Sequence, residues 1–195
     1  KIMRIPYALA VYGKKEIKAV NDFLRDRRRF PSWTNTKEFE KKIAKLFGKK
    51  YGLMVNSGSS ANLLAFELLN LPKGSEVITP ILTFSTTVAP ILQKGLVPVF
   101  TDVKIGTYLI DEDKIEKLIT PRTKALMIPS LIGNIPNLKR LRKIADKHRL
   151  YLIEDSCDTL GAKFDRRPTG RYTDISTTSF YGSHIITAAG GSGMI

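Results

Sequence analysis

The chain has 195 residues, with 32 Lys and Arg against 18 Asp and Glu, for a net charge of +14. At 43% hydrophobic and 26% charged residues it has a globular composition, which excludes a disordered or fibrous chain and is long enough for one full core. There is no apolar run near the ~20 residues of a membrane span and no signal-peptide pattern. The single cysteine, Cys157, excludes an internal disulfide and predicts a reducing, cytoplasmic setting.

Residues 1–36 show no regular rhythm and are read as an N-terminal arm or helix, with the main domain over 37–195. From there helical and strand periodicities alternate. "KEFEKKIAKLF" is a helix with Phe39, Ile43, Leu46 and Phe47 on its apolar face, and "YGLMV" is a short buried strand. "SSANLLAFELL" is a helix with Leu63, Leu64, Phe66 and Leu68 apolar. "EVITP" is a strand, "FSTTVAPILQKG" a helix despite Pro90, and "VPVF" a strand. "DEDKIEKLI" reads as helix and "KALMIPS" as strand. "NLKRLRKIADKH" is a helix with Leu138, Leu141, Ile144 and Ala145 in one stripe. "LYLIED" and "DISTTSF" are strands, and another apolar strand starts at "GSGMI". Strands this apolar, alternating with helices, predict an α/β fold of three layers: a mostly parallel sheet with helices on both faces.

The basic residues are spread along the helices, with "RDRRRF" the one dense run. No RNA-recognition, zinc-finger or helix-turn-helix pattern is present. A solvated basic surface is the first reading, an anionic ligand the second and nucleic acid the last.

Ligands of such sheets bind at the carboxyl ends of the strands, where three groups of residues fall. "NSGSSAN" joins a strand to a helix. Gly58 permits close backbone approach, and Ser59 and Ser60 offer hydroxyls and amides to an anion at the helix N-terminus. Simple N-capping by either serine is an equal alternative. The stretch lacks the spacing of a dinucleotide fingerprint and the lysine of a P-loop. "LIEDSCD" ends an apolar strand in acids. Asp155 can pair with a protonated ring nitrogen, as pyridoxal phosphate sites require, or Glu154 and Asp155 can cap a neighbouring helix. Phe84 can stack on a flat ring or belong to the core. "SFYGSHIITAAGG" is a loop that presents His184.

Taken in order, "NSGSSANLLAF", "EVITP…TF", "GNIPNL…IADKH…LIEDSCDTLGA" and "DISTTSFYGSH" resemble the DegT/DnrJ/EryC1/StrS family of sugar-modifying pyridoxal-phosphate enzymes of fold type I. The resemblance implies an aspartate aminotransferase-like large domain, present here only in part, with the rest of that domain and a small domain absent. Most of the family are aminotransferases with a Schiff-base lysine where this chain has His184. Histidine forms no Schiff base. The replacement resembles the family's sugar 3-dehydrases, closest to the CDP-sugar type, which hold the cofactor without a covalent bond.

By that resemblance His184 is the catalytic base, Asp155 holds the pyridine nitrogen protonated, and Phe84 stacks on the ring. Ser59, Ser60 and Ser179 hold the phosphate beside Gly58, and Asp158, where the ordinary family pattern has Gln, lies among the cofactor-binding residues. Cys157 matches a 2Fe–2S ligand of the CDP-sugar type, with the other ligands expected beyond Ile195; a cluster takes four. The implied cofactor is pyridoxal or pyridoxamine phosphate. The implied reaction is dehydration at C3 of a nucleotide-linked 4-keto-6-deoxy sugar in deoxysugar or lipopolysaccharide synthesis, by a homodimer, with a reductase partner only for the CDP-type chemistry. A sugar aminotransferase and a non-catalytic basic binding protein are the alternatives. One departure stands out: the family's "GEGG" after this loop is "AAGGSG" here.

Overall fold

Side chains alternate across the central strands, and both faces are apolar. In β2 (Glu76–Pro80), β4 (Thr123–Pro129) and β5 (Tyr151–Asp155), Ile78, Leu126, Ile128 and Leu152 share one core cluster. Val77, Ala125, Met127 and Ile153 belong to a second. The period of two in a strand assigns these sets to opposite sides of the sheet. The computed structural model describes residues 5, 11–26, 28, 33–188 and 190–195; Arg27, Arg29 and Phe30 of "RDRRRF" lie outside these.

Among the described residues the main sheet has seven strands in the order β1-β9-β8-β5-β4-β2-β3, where β1 is Met54–Val55, β3 Val97–Thr101, β8 Ile175–Ser179 and β9 Gly193–Met194. The block β8-β5-β4-β2-β3 is parallel. β9 runs antiparallel to both β1 and β8. One face is covered by α6 (Leu138–His148) through Leu138, Leu141, Ile144 and Ala145, with Ile110 and Ile115 from the segment around the short α5 (Glu112–Ile115). The other is covered by α3 (Gly58–Leu69) and α4 (Ser85–Gln93) through Ala65, Phe66 and Ile91. The three-layer expectation holds. α2 (Thr34–Phe47) starts just before the expected Lys37 and packs Ile43 and Phe47 on Phe180 and Met194, while α1 (Lys14–Arg25) buries no residue.

Three details differ from the sequence reading. In α3 the buried residues are Gly58, Ala61, Asn62, Ala65 and Phe66, while Leu63 and Leu68 are 37% and 63% exposed. Small side chains on the inner face let this helix approach the sheet closely, so Leu63 and Leu68 are turned outward while Leu69 still packs on the core. Leu46 of α2 is likewise exposed. A two-stranded hairpin, β6 (Lys163–Phe164) and β7 (Arg167–Pro168), was not anticipated. Its turn residues Asp165 and Arg166 both have positive φ, 46° and 62°, without the Asn-Gly or Asp-Gly pair that usually announces such a turn.

Candidate active site

The carboxyl ends of β2, β4, β5 and β8 open into one cleft of about 920 Å³, within the ~300–1,000 Å³ of small-molecule sites. Gly58, Ser59, Phe84, Asp155, Cys157, Asp158, Ser179 and His184 all line it. Of the residues picked out from the sequence, only Ser60 does not. Ser57 is the N-cap of α3: its Oγ accepts from the Ser60 amide at 3.1 Å and donates to the Ser60 Oγ at 3.0 Å. Ser60 is therefore occupied in closing the helix terminus, and the capping residue is Ser57, which sequence reasoning passed over.

Strand parity separates the two acids of "LIED". Asp155 shares the face of Ile153, toward α3 and α4; Glu154 shares that of Leu152 and accepts from Ser156, Thr173 and Ser176. Asp155 Oδ2 accepts from Asn62 Nδ2 and from Thr87 Oγ1, both at 2.9 Å, and Oδ1 accepts from the Cys157 amide at 3.2 Å. Three donors satisfy the acceptor capacity of this buried carboxylate. Asn62 is itself fixed: its Oδ1 accepts from Thr177 Oγ1 at 2.6 Å, and its Nδ2 also donates to the Thr86 carbonyl at 3.2 Å. That carbonyl is four residues before Pro90, which lies inside α4 and has no N–H to give it. The proline expected to weaken the helix thus frees an acceptor for the side chain that holds Asp155.

Gly58 begins α3 where a Cβ would lie 2.7 Å from Ser179 Cβ and 3.0 Å from Cys157 Sγ. The helix N-terminus consequently sits against the end of β8, where Gly58 and Ser59 line the cleft. Ser59 Oγ donates to Thr86 Oγ1 at 3.0 Å, and Ser179 Oγ accepts from the Tyr181 amide at 3.3 Å. Gly193 performs the equivalent service in β9, since a Cβ there would lie 2.2 Å from the Ser57 carbonyl oxygen. The altered "AAGGSG" stretch therefore still brings a glycine against the anion-binding turn. Phe84 caps α4 and is 67% exposed on the cleft wall, open to a flat ring.

Two further lining residues, Thr83 and Ser130, were not picked out from the sequence. Their hydroxyl oxygens are buried without a hydrogen-bond partner among the described residues. A helix N-terminus, a buried carboxylate, an exposed aromatic face and unsatisfied hydroxyls fit a phosphorylated pyridine cofactor. Cys157 lines the same cleft, its thiol pushed up first by burial and then by the negative charges of Asp155 and Asp158.

His184 occupies the turn after β8, its amide donating to the Tyr181 carbonyl at 3.0 Å and its ring edge-on to Tyr181, centroids 6.3 Å apart. Its Nδ1 lies 3.5 Å from Asp158 Oδ1, and Asp158 Oδ2 accepts from the Ile132 amide at 2.9 Å. No lysine lines the cleft among the described residues.

Known proteins resemble the chain over nearly its whole length. Residues 11–195 match the model of the DegT/DnrJ/EryC1/StrS aminotransferase family. The lipopolysaccharide biosynthesis protein RfbH of Salmonella typhimurium is 43% identical over 199 residues, covering 96% of this chain and 44% of that protein. Escherichia coli GDP-4-keto-6-deoxy-D-mannose-3-dehydratase with bound hydrated PLP superimposes with a TM-score of 0.90 at 33% identity, over 100% of this chain and 51% of that one. The putative sugar aminotransferase Spr1654 from Streptococcus pneumoniae, in its PLP form, also gives 0.90, at 26% identity over 98% and 53%. The chain thus spans about half the length of the proteins it matches. On its motifs, its fold and the extent of these matches, the chain belongs to the DegT/DnrJ/EryC1/StrS aminotransferase family.

Proposed function

We propose that the chain is the cofactor-binding part of a pyridoxamine-phosphate-dependent enzyme that removes the 3-hydroxyl of a nucleotide-linked 4-keto-6-deoxy sugar. One observation carries this reading: the cleft presents a histidine backed by a carboxylate and, among the described residues, no lysine. Bound cofactor supplies an amine that joins the 4-keto carbon and a ring that accepts an electron pair. Asp155 pairs with the ring nitrogen, the α3 N-terminus with Ser59 and Ser179 holds the phosphate, and Phe84 covers the ring. His184 takes up a proton and delivers one to the departing 3-hydroxyl, which leaves as water. The likeness to the E. coli dehydratase supports this assignment. A homodimer working in deoxysugar or lipopolysaccharide synthesis is consistent with the family.

The likeness to the pneumococcal protein favours a second reading, transfer of an amino group to a keto sugar. Borohydride treatment of the whole protein loaded with pyridoxal phosphate, followed by mass spectrometry, separates the two. The dehydrase reading expects no pyridoxyl group on the polypeptide and, when pyridoxamine phosphate is supplied instead, a 3-deoxy-4-keto sugar formed as that cofactor is oxidised to pyridoxal phosphate with release of ammonia. A pyridoxyl-lysine at the site and an amino-sugar product would replace it with the aminotransferase.

A further inference from the structure

We propose that Asp158 is a positioning residue that fixes the proton of neutral His184 on Nδ1 and so presents a bare Nε2 to the cleft. The inference rests on the reaction proposed above, and it departs from the expectation that Asp158 contacts the cofactor. Its Oδ1 faces His184 Nδ1 at 3.5 Å, while its Oδ2 accepts the Ile132 amide at 2.9 Å. The second contact fixes the carboxylate to the turn after β4. There Ile132, a β-branched residue, holds the left-handed φ of 56° and Gly133 follows at 81°. Asp158 therefore ties that turn to the His184 turn, which comes from a different strand.

A neutral imidazole carries one proton, and an ionised carboxylate only accepts. Nδ1–H facing Asp158 is the favoured tautomer, which leaves the lone pair on Nε2. The other titratable side chains lining the cleft are Asp155, Cys157 and Tyr181. Asp155 is committed to Asn62 and Thr87, and the Cys157 thiol is protonated. Asp158 is thus the carboxylate opposite Nδ1. When Nε2 takes up a proton, the positive charge appears beside Asp158; when Nε2 gives the proton up, the original tautomer returns and no electrons change hands.

The test uses the whole protein with 15N-labelled histidine, free of cofactor. Long-range proton–nitrogen correlations are expected to show Nδ1–H at His184. In Asp158→Asn, an amide whose oxygen keeps the Ile132 N–H turns its NH2 toward Nδ1, so the tautomer should switch to Nε2–H. Turnover should fall about 10²-fold, with the KM for sugar and the affinity for pyridoxamine phosphate unchanged. Asp158→Glu should restore the tautomer and part of the rate. Nε2–H in the parent protein overturns the proposal. So does an Asp158→Asn loss carried entirely by cofactor affinity with the tautomer unchanged, which would make Asp158 a cofactor contact. A parent protein that forms an amino sugar refutes the proposed reaction alone, because the tautomer is read without turnover.

Discussion

An imidazole exchanges protons near neutral pH and cannot trap an aldehyde, whereas a lysine amine does trap one. This difference makes position 184 decisive for the chemistry. His184→Asn should leave cofactor affinity intact and lower the dehydration rate by ~10²–10⁴-fold; dehydration at the parent rate would show that another group moves the proton. His184→Lys should give a covalently held cofactor, visible as a shifted absorbance band. That Asp155 and His184 would face one cleft was legible in the sequence, Asp155 as an acid ending an apolar strand and His184 as the residue presented by the loop after β8. The partners of Asp155 were not: Asn62 and Thr87 lie 93 and 68 residues away, and nothing local marks them. Ser57, Thr83 and Ser130 were hidden for a different reason, since one serine or threonine in a loop looks like any other until its environment is known.

At the scale of elements, α3 and α4 converge on one carboxylate. α3 contributes Asn62 from a face of small residues, and α4 contributes Thr87 and, through Pro90, the open carbonyl of Thr86. Asn62→Leu keeps the volume but strips donors from Asp155 and the Thr86 carbonyl and an acceptor from Thr177. Leaving buried groups unpaired costs ~1–3 kcal/mol, so denaturant unfolding should show a loss of about that size, with weaker cofactor binding. An unchanged midpoint would mean that the Asn62 network adds nothing to the fold. A mostly parallel sheet between two helical layers could be read in advance because apolar β2, β4 and β5 leave no wet face; the strand order could not. The close approach of α3 could not: hydrophobicity ranks leucine above alanine, while the helix chose the small side, where Gly58 passes Ser179 and Cys157.

At the scale of the whole molecule, apolar surface remains at the cleft mouth and along α1. Phe84, Ile132 and Ile185 are 67%, 68% and 64% exposed around the cleft, and Ile17, Val20 and Leu24 are 50%, 53% and 56% exposed on α1. The last three recur at helical spacing, so they form one stripe. Contiguous exposed apolar surface of this kind marks an interface. The net charge of +14 opposes any meeting of like chains, and salt screens that repulsion while leaving apolar burial in force. The 195-residue polypeptide should therefore associate as concentration rises, more strongly at high salt than at low. Sedimentation velocity across a salt series reads this directly. A monomer at every salt and concentration would show that these surfaces stay in water. Association that weakens with salt would show that opposite charges, and not the apolar stripe and cleft rim, draw the chains together.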